Sequence, residues 1–283
     1  MTIVVTGATG HLGRLIVEHL IARGTAPADI VAVGRNQARL AELPEGVRTA
    51  AIDLNDPDSL SEPFAGADRL MLVSSSDPGA RIPQHRNAIE AAKVAGITRI
   101  VYTSAPKATT SELILAPDHK ATEEMLVTSG ITFTVLRNNW YSENYVGPMA
   151  QAAESGSYSS STGDGLVASA SRTDYAEAAA VVLTTDGHDN SVYELTGDTA
   201  WSAPTLAAAF SEVVGRDIEF VPITTEQEAE GLTAAGLDEA TVGFVTTLNR
   251  NIRDGALAEV TPDLRTLIGR PTTPLVEGLR AGR

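Results

Sequence analysis

One stretch near the N-terminus leaves this chain few folds: Thr2-Ile3-Val4-Val5-Thr6-Gly7-Ala8-Thr9-Gly10-His11-Leu12-Gly13-Arg14. A short β-branched run ends in glycines, and Leu12, Ile16, Val17, Leu20 and Ile21 at once begin a helical repeat. A strand, a turn and a helix in this order are the setting in which a glycine triad reads as dinucleotide binding. Gly7 permits the tight turn, Gly10 lets the backbone approach a pyrophosphate, and Gly13 lets the helix pack close to the strand. The N–H groups at the helix start then face the phosphates, and the helix dipole favours their charge. The loop Gly7, Ala8, Thr9, Gly10, His11 and Leu12 is therefore a candidate phosphate cradle. The bland alternative is a glycine-rich surface turn that binds nothing.

Beyond residue 22 the alternation of strand and helix repeats. Apolar runs at 29–34, 48–53, 69–74, 99–104 and 132–137 read as strands, with helices between them, notably over 82–95. Such alternation specifies right-handed βαβ units and a parallel sheet. The expected fold class is α/β, a Rossmann doubly wound parallel sheet with a small α+β C-terminal subdomain. The boundaries expected are 1–150 for the dinucleotide-binding domain, with part of 170–200 returning to the sheet, and 151–283 for a smaller substrate-side subdomain. Within the latter, Thr173 is read as the cap of a helix reaching about 185. Residues 191–195 and 217–222 read as strands, and 203–215 and 224–236 as helices. Residues 237–260 carry no assignable pattern, and Thr272-Thr273-Pro274 opens a short last helix.

Composition narrows the function. The chain has 283 residues, no cysteine and a formal net charge of −15. Disulfides, thiolate catalysis and Cys–metal sites are excluded. The negative charge disfavours nucleic acid and anionic membranes, no apolar run approaches a membrane span, and the chain opens directly in a strand with no leader pattern. A soluble cytoplasmic protein, monomer or homodimer, is expected. Any phosphate must be held by local groups against the global field.

Those groups are visible. The second strand ends in Gly34-Arg35-Asn36, with no acid to hold a ribose 2′-OH; Arg35, with Arg39 one turn later, suits a 2′-phosphate instead. The third strand ends at Asp53, which either accepts from an adenine amino group or caps the next turn. The fourth runs out into Ser74-Ser75-Ser76, at the carboxyl end where ligands bind in open α/β sheets. The fifth carries Tyr102, Thr103 and Ser104. The sixth opens into Asn138-Asn139-Trp140-Tyr141-Ser142-Glu143-Asn144-Tyr145, the densest polar and aromatic cluster in the chain. No His/Asp/Glu group has metal spacing, and no Ser/His/Asp nucleophile pattern appears.

The usual Tyr-x-x-x-Lys proton relay of short-chain dehydrogenases is missing: Pro106 stands four residues after Tyr102, and Tyr145 four after Tyr141. An electron-poor acceptor such as a quinone needs no strong general acid. His119 is the better candidate for a role beside the nicotinamide, since histidine donates or accepts near pH 7; a helix-start histidine bonded to backbone is the alternative. Lys120 reads as a solvated lysine, His85 as a structural hydrogen bond, and His11 as a neighbour of the phosphates.

The glycine loop, Gly34-Arg35-Asn36, Ser74-Ser75-Ser76, Pro83-Gln84-His85-Arg86-Asn87, the 136–145 block and Leu267-Ile268-Gly269-Arg270-Pro271-Thr272 together resemble the type 2 NAD(P)H:quinone oxidoreductases. These are NmrA-like atypical short-chain dehydrogenases. The resemblance implies substrate in a cleft between the two domains and NADPH as reductant. It implies Arg35 on the 2′-phosphate, Ser74, Ser75 and Ser76 with Thr103 along the cofactor, and Asn138, Asn139, Trp140, Tyr141, Ser142 and Glu143 walling the nicotinamide. His119, Asn138 and Tyr141 become the candidate catalytic residues, with a quinone-like small molecule as substrate. The chain departs from the pattern at Asn139, where a glycine is expected, and at Ala105-Pro106-Lys107. Two alternatives stand beside this expectation: a triphenylmethane-dye or other carbonyl- or imine-type reductase of the same family, and an NADP(H)-sensing regulator that turns nothing over.

Overall fold

A computed structural model describes residues 1–75, 77 and 79–282. Its first half is the expected alternation: β1 (Ile3–Val5), α1 (His11–Ala22), β2 (Ile30–Gly34), α2 (Gln37–Leu40), β3 (Arg48–Ala51), α3 (Ser61–Phe64), β4 (Arg69–Leu72), α4 (Arg81–Val94), β5 (Arg99–Ser104), α5 (Ala116–Ser129) and β6 (Thr132–Asn138). The second half contributes α6 (Val146–Ser155), β7 (Ser157–Ser160), β8 (Leu166–Val167), α7 (Arg172–Thr184), β9 (Ser191–Leu195), β10 (Trp201–Ser202), α8 (Ala203–Val214), β11 (Glu219–Pro222), α9 (Thr225–Ala234), α10 (Glu239–Arg253), α11 (Asp263–Ile268) and α12 (Leu275–Ala281).

Seven strands pair in the order β3-β2-β1-β4-β5-β6-β9, all parallel. Both faces are covered, so the central strands are largely apolar and their side chains alternate between two cores, while the edge strands β3 and β9 are more polar and exposed. Ile3, Val5, Ile30, Ala32, Met71, Val101 and Leu136 face the α1 and α7 side. Val4, Val31, Val33, Leu70, Leu72, Ile100, Tyr102 and Val135 face the α4 and α5 side. In register, Val4 sits between Val31 and Leu70, both at the buried centre of the sheet. The order reverses between β1 and β4, and that switch point opens a crevice beyond the carboxyl ends of the strands.

After residue 170, α7 packs along α1, and β9 adds the edge strand beside β6. The remaining elements form a third core around Trp201, Leu206, Phe210, Leu248, Ile252 and Leu279, joined by Leu113 and Met149. Two small sheets brace it, β10 with β8 and β11 with β7.

Two local expectations need correcting. Ser171, not Thr173, caps α7: its side chain accepts the Asp174 N–H at 3.1 Å. The unpatterned region 237–260 holds α10, capped by Asp238 through the Thr241 N–H at 2.9 Å. Its polar residues hide a narrow stripe, since Thr246, Leu248, Asn251 and Ile252 are the buried positions. Gly165 is needed below it, because a Cβ there would stand 2.4 Å from the Ile252 carbonyl oxygen.

Asp174 ties the C-terminal tail to α7. It is fully buried and accepts from Thr273 N at 2.8 Å and Thr273 Oγ1 at 3.0 Å, with an Arg270 guanidinium nitrogen at 2.8 Å. Asp174→Ala strands those donors. It is expected to cost about 3 kcal/mol, read as a lower urea midpoint; a change within about 0.5 kcal/mol, the range of an ordinary surface substitution, would show that the tail holds without it.

Candidate active site

At the switch point lies a cavity of about 600 Å³. One end is the β1–α1 loop, with Gly7, Thr9, Gly10, His11, Leu12 and Gly13 in its wall. The loop is built by close approach. Gly7 has φ +62°, which favours glycine. A Cβ on Gly13 would stand 2.3 Å from the Gly7 carbonyl oxygen, and one on Gly10 3.3 Å from it. No side chain caps α1, whose N-cap is Gly10, so its first-turn N–H groups are left for an anion. Ala8 does not reach the cavity: it is buried in the core, and its N–H donates to the Val33 carbonyl at 3.1 Å.

Among the described residues, four arginines line the cavity, Arg35, Arg39, Arg81 and Arg172, against a single carboxylate, Asp53. The charge of the site is thus opposite to that of the chain. Arg39 is anchored on the loop, donating to the Thr9 carbonyl at 3.3 Å. Arg35, just past β2, is exposed. Asp53 closes a turn, its Oδ1 accepting the Asn55 N–H at 2.9 Å, and the residue also lines the cavity.

Ser74 and Ser75 form the floor. Thr103 lies behind them rather than in the wall; its Oγ1 accepts the Ser74 N–H at 2.8 Å. The Ser75 N–H donates to Nε2 of His85 at 3.1 Å, which gives that buried histidine the structural bond expected of it. The Ser75 Oγ is buried without a partner among the described residues. Ser76 lies outside the described residues. Arg81 braces the segment, donating to the Ser75 carbonyl at 2.8 Å and pairing with Asp118 at 3.0 Å.

The 138–143 block divides. Asn139, Trp140 and Tyr141 line the cavity. Asn139 donates to the Leu257 carbonyl at 3.3 Å, and its buried Oδ1 is unpartnered among the described residues. Asn138 sits behind the wall, donating to the Tyr141 hydroxyl at 3.2 Å. Burial pushes the Tyr141 phenol up from its ordinary pKa, and Arg172 stands 5.1 Å over its ring. Ser142 and Glu143 are not brought to the cavity. The Ser142 hydroxyl meets that of Ser169 at 2.9 Å, and Glu143 accepts the Arg172 N–H at 2.8 Å, fixing the start of α7.

His119 lines the far end with Ala105, Pro106, Leu113, Leu115 and Trp140. It sits inside α5, one turn from its start, and is buried. Its Nδ1 meets the Tyr102 hydroxyl at 2.7 Å. Burial, helped by the nearby Arg81 charge, lowers its pKa to about 3, and the same causes lower His85 to about 3. Lys120 is exposed. Sequence reasoning missed Arg81 and Arg172. Arg81 follows the serine run at a helix start and could have been suspected; nothing local marks Arg172, which arrives from a helix 160 residues beyond the glycine loop. Among the described residues no cluster of His, Asp or Glu could hold a metal ion.

The residues present fit a dinucleotide: a cradle that Cβ atoms would fill, an open helix start, cations where phosphates would lie and orphaned polar atoms in the wall. This is an NAD(P)-binding Rossmann site. The chain belongs to the NAD(P)H-binding family, which it matches over residues 7–186, and to its NmrA-like, type 2 quinone oxidoreductase branch. It is 42% identical to quinone oxidoreductase 2 of Escherichia coli (strain K12), over 98% of this chain and 97% of that one. The crystal structure of the Escherichia coli NADPH-dependent quinone oxidoreductase complexed with NADPH superposes with a TM-score of 0.93 at 41% identity, covering 99% of both chains. The Citrobacter sp. triphenylmethane reductase complexed with NADP(H) gives 0.93 at 35% identity, covering 100% of both.

These charges lead to two expected outcomes. Arg35→Ala is expected to raise the KM for NADPH roughly tenfold to a hundredfold, the range for loss of a charged hydrogen bond, and to leave that for NADH nearly unchanged; equal effects on both would remove Arg35 from the 2′-phosphate. The buried neutral histidines should also make the fold acid-sensitive. Their folded pKa values of about 3 lie below the ordinary 6.5, so the unfolded chain binds more protons between those limits. Stability is then full above pH 6.5 and falls as pH drops toward 3, by up to about 1.4 kcal/mol per pH unit for each ring. Urea midpoints at pH 7 and pH 5 that coincide would refute this.

Proposed function

We propose that this chain is an NADPH-dependent oxidoreductase that passes hydride to a quinone or similarly electron-poor acceptor, without flavin or metal. The observation that carries the reading is the far end of the cavity. There the wall is apolar, from Ala105, Pro106, Leu113, Leu115 and Trp140, and none of its polar groups is an acid that titrates near neutrality. The His119 imidazole is neutral, and the Tyr141 phenol is held protonated by burial. A simple ketone needs a proton at its oxygen as hydride arrives. A quinone does not: the hydroquinone anion is stable in itself, and its oxygen takes a proton from water afterwards.

Bound NADPH supplies the hydride. The residues of this chain supply the rest. The β1–α1 loop and Arg35 would hold the phosphates of NADPH. Ser74, Ser75 and Asn139 would present polar atoms to it from the wall. Trp140 and the leucines exclude water and stack the acceptor. Tyr141, tied to Asn138, shapes the wall, and His119 faces the acceptor. The two relatives, a quinone reductase and a dye reductase, support this reading, since quinones and triarylmethane cations share the property of accepting hydride without an enzymatic acid. Among the described residues no helix is long and apolar enough to cross a membrane. That and the net charge of −15 support an enzyme free in the cytoplasm, working as a monomer or homodimer on a small molecule.

The test is oxidation of NADPH and NADH followed at 340 nm with 1,4-benzoquinone, menadione and a triphenylmethane dye, against enzyme-free blanks. Saturable quinone turnover preferring NADPH is expected, with kcat/KM flat between pH 5.5 and 8 because neither His119 nor Tyr141 titrates there. Dye turnover without quinone turnover would move the acceptor to carbocations. Tight NADP binding with no acceptor reduced would make the chain a cofactor sensor.

A further inference from the structure

Tyr102 is the largest fully buried side chain of the sheet, with 0% exposure. Two histidines flank it: His85 with ring centroids 5.4 Å apart and edge-on, and His119 at 5.9 Å. The hydrogen bonds around them leave little freedom for the protons. A backbone N–H can only donate, so the Ser75 N–H at 3.1 Å makes Nε2 of His85 an acceptor. A neutral ring must then carry its proton on Nδ1, which donates to Thr122 Oγ1 at 2.9 Å. The Thr122 hydroxyl passes its own proton to the Asp118 carbonyl at 3.0 Å. Thr122 also faces the Tyr102 phenol, but its proton is committed to Asp118 and one of its two lone pairs to His85.

The short hydrogen bond of the Tyr102 hydroxyl is to Nδ1 of His119, at 2.7 Å. Were the proton on Nδ1, the phenol O–H would be left with the Thr122 oxygen, which already takes the His85 proton and serves the Asp118 carbonyl, a poorer acceptor than a bare imidazole nitrogen in a fully buried place. Burial also raises the phenol pKa, so the O–H is present to donate. The phenol donates, Nδ1 accepts, and the imidazole proton stands on Nε2. No described residue hydrogen-bonds Nε2, and the ring lines the apolar end of the cavity.

We infer that Tyr102 is a positioning residue that locks His119 in the Nε2–H tautomer and aims that N–H at the acceptor's carbonyl oxygen. The second half of this inference rests on the quinone reading; the tautomer does not. As hydride adds to the acceptor, its electron pair moves onto that oxygen, and a fixed N–H beside the growing negative charge binds the transition state more strongly than the ground state. No proton leaves the imidazole: the oxygen takes one from water after hydride transfer, and His119 ends the cycle as it began. His85, on the other side of the same phenol, is locked in the opposite tautomer.

The test is a long-range 1H–15N correlation spectrum of the histidine side chains in the cofactor-free protein at pH 7, with resonances assigned by His119→Gln and His85→Gln. The expected result is a pyridine-like Nδ1 in His119 and a pyridine-like Nε2 in His85. A pyridine-like Nε2 in His119 overturns the inference, and this reading on the wild-type chain needs no variant to fold. Tyr102→Phe should leave His119 a mixture of tautomers. It should lower kcat for quinone about tenfold to a hundredfold, the scale for weakening one fixed donor to a developing oxyanion, with the Kd for NADPH unchanged. An unaltered kcat with mixed tautomers would overturn the catalytic half. Correct tautomers in a chain that reduces no quinone would refute the proposed function and leave the lock intact.

Discussion

The closeness of α1 to the turn after β1 governs the rest of the molecule. A Gly13 Cβ would lie 2.3 Å from the Gly7 carbonyl oxygen, inside any tolerable contact, so the helix rests directly on backbone. That contact fixes where the helix begins, and with it where the unsatisfied N–H groups emerge. It also sets the distance between α1 and the sheet, into which Leu12, Ile16, Val17 and Leu20 pack. α7 then lies along α1 and carries Arg172 to the cavity and β9 to the sheet edge. One missing methyl group thereby positions elements that are 160 residues apart.

Electrostatics works on a smaller scale than the net charge suggests. A chain of charge −15 presents, among the described residues, four arginines and one carboxylate to its cavity. Three of these arginines are held by the fold: Arg39 by the Thr9 carbonyl, Arg81 by Asp118 and the Ser75 carbonyl, Arg172 by Asn144 at 2.7 Å. Exposed charges farther from the site than a screening length of about 10 Å are largely masked by salt, so the local arginines outweigh the net charge there. A second buried charge group, Arg137 with Glu123 at 2.6 Å and Glu194 at 2.8 Å, lies behind the cleft. Its two carboxylates push the guanidinium pKa further up. Glu194 also takes the Lys107 N–H at 3.1 Å, holding the Ala105–Pro106 wall in place through a residue with φ +47°.

Much of this architecture is legible in the sequence because the first 138 residues obey local rules. Strands buried on both faces read as continuous apolar runs, and glycines at a strand end announce the turn they make. Arg35 is visible because it follows directly on the second strand, and the structure puts it in the cavity wall. The rest depends on contacts that sequence spacing does not carry. The polar block 138–143 looks uniform, yet some of its residues turn to the cavity and others away from it, so Asn139 and Tyr141 line the wall while Ser142 and Glu143 brace α7. His119 stands out as a candidate, but residue type alone suggests a proton donor near pH 7. Burial beside Tyr102 decides otherwise, and nothing within five residues of position 119 signals it. α10 escapes detection because its buried face includes Thr246 and Asn251, which read as solvated residues until Asn251 Oδ1 is seen to take the Ile114 N–H at 2.9 Å.

The third core has no contiguous segment of its own. Leu113, Met149, Trp201, Phe210, Leu248 and Leu279 come from parts of the chain spread over most of its length, and the final helix closes it, with Gly278 set against Ser142. A lobe assembled this way has no local nucleus: each of its walls leans on a partner far away in the chain. The glycine loop is different, for its closest contacts join residues at most six apart. A small shift anywhere from Leu113 to Leu279 can therefore reshape the apolar chamber near Trp140 while the loop beside α1 keeps its form, so the two ends of one cavity are free to change independently.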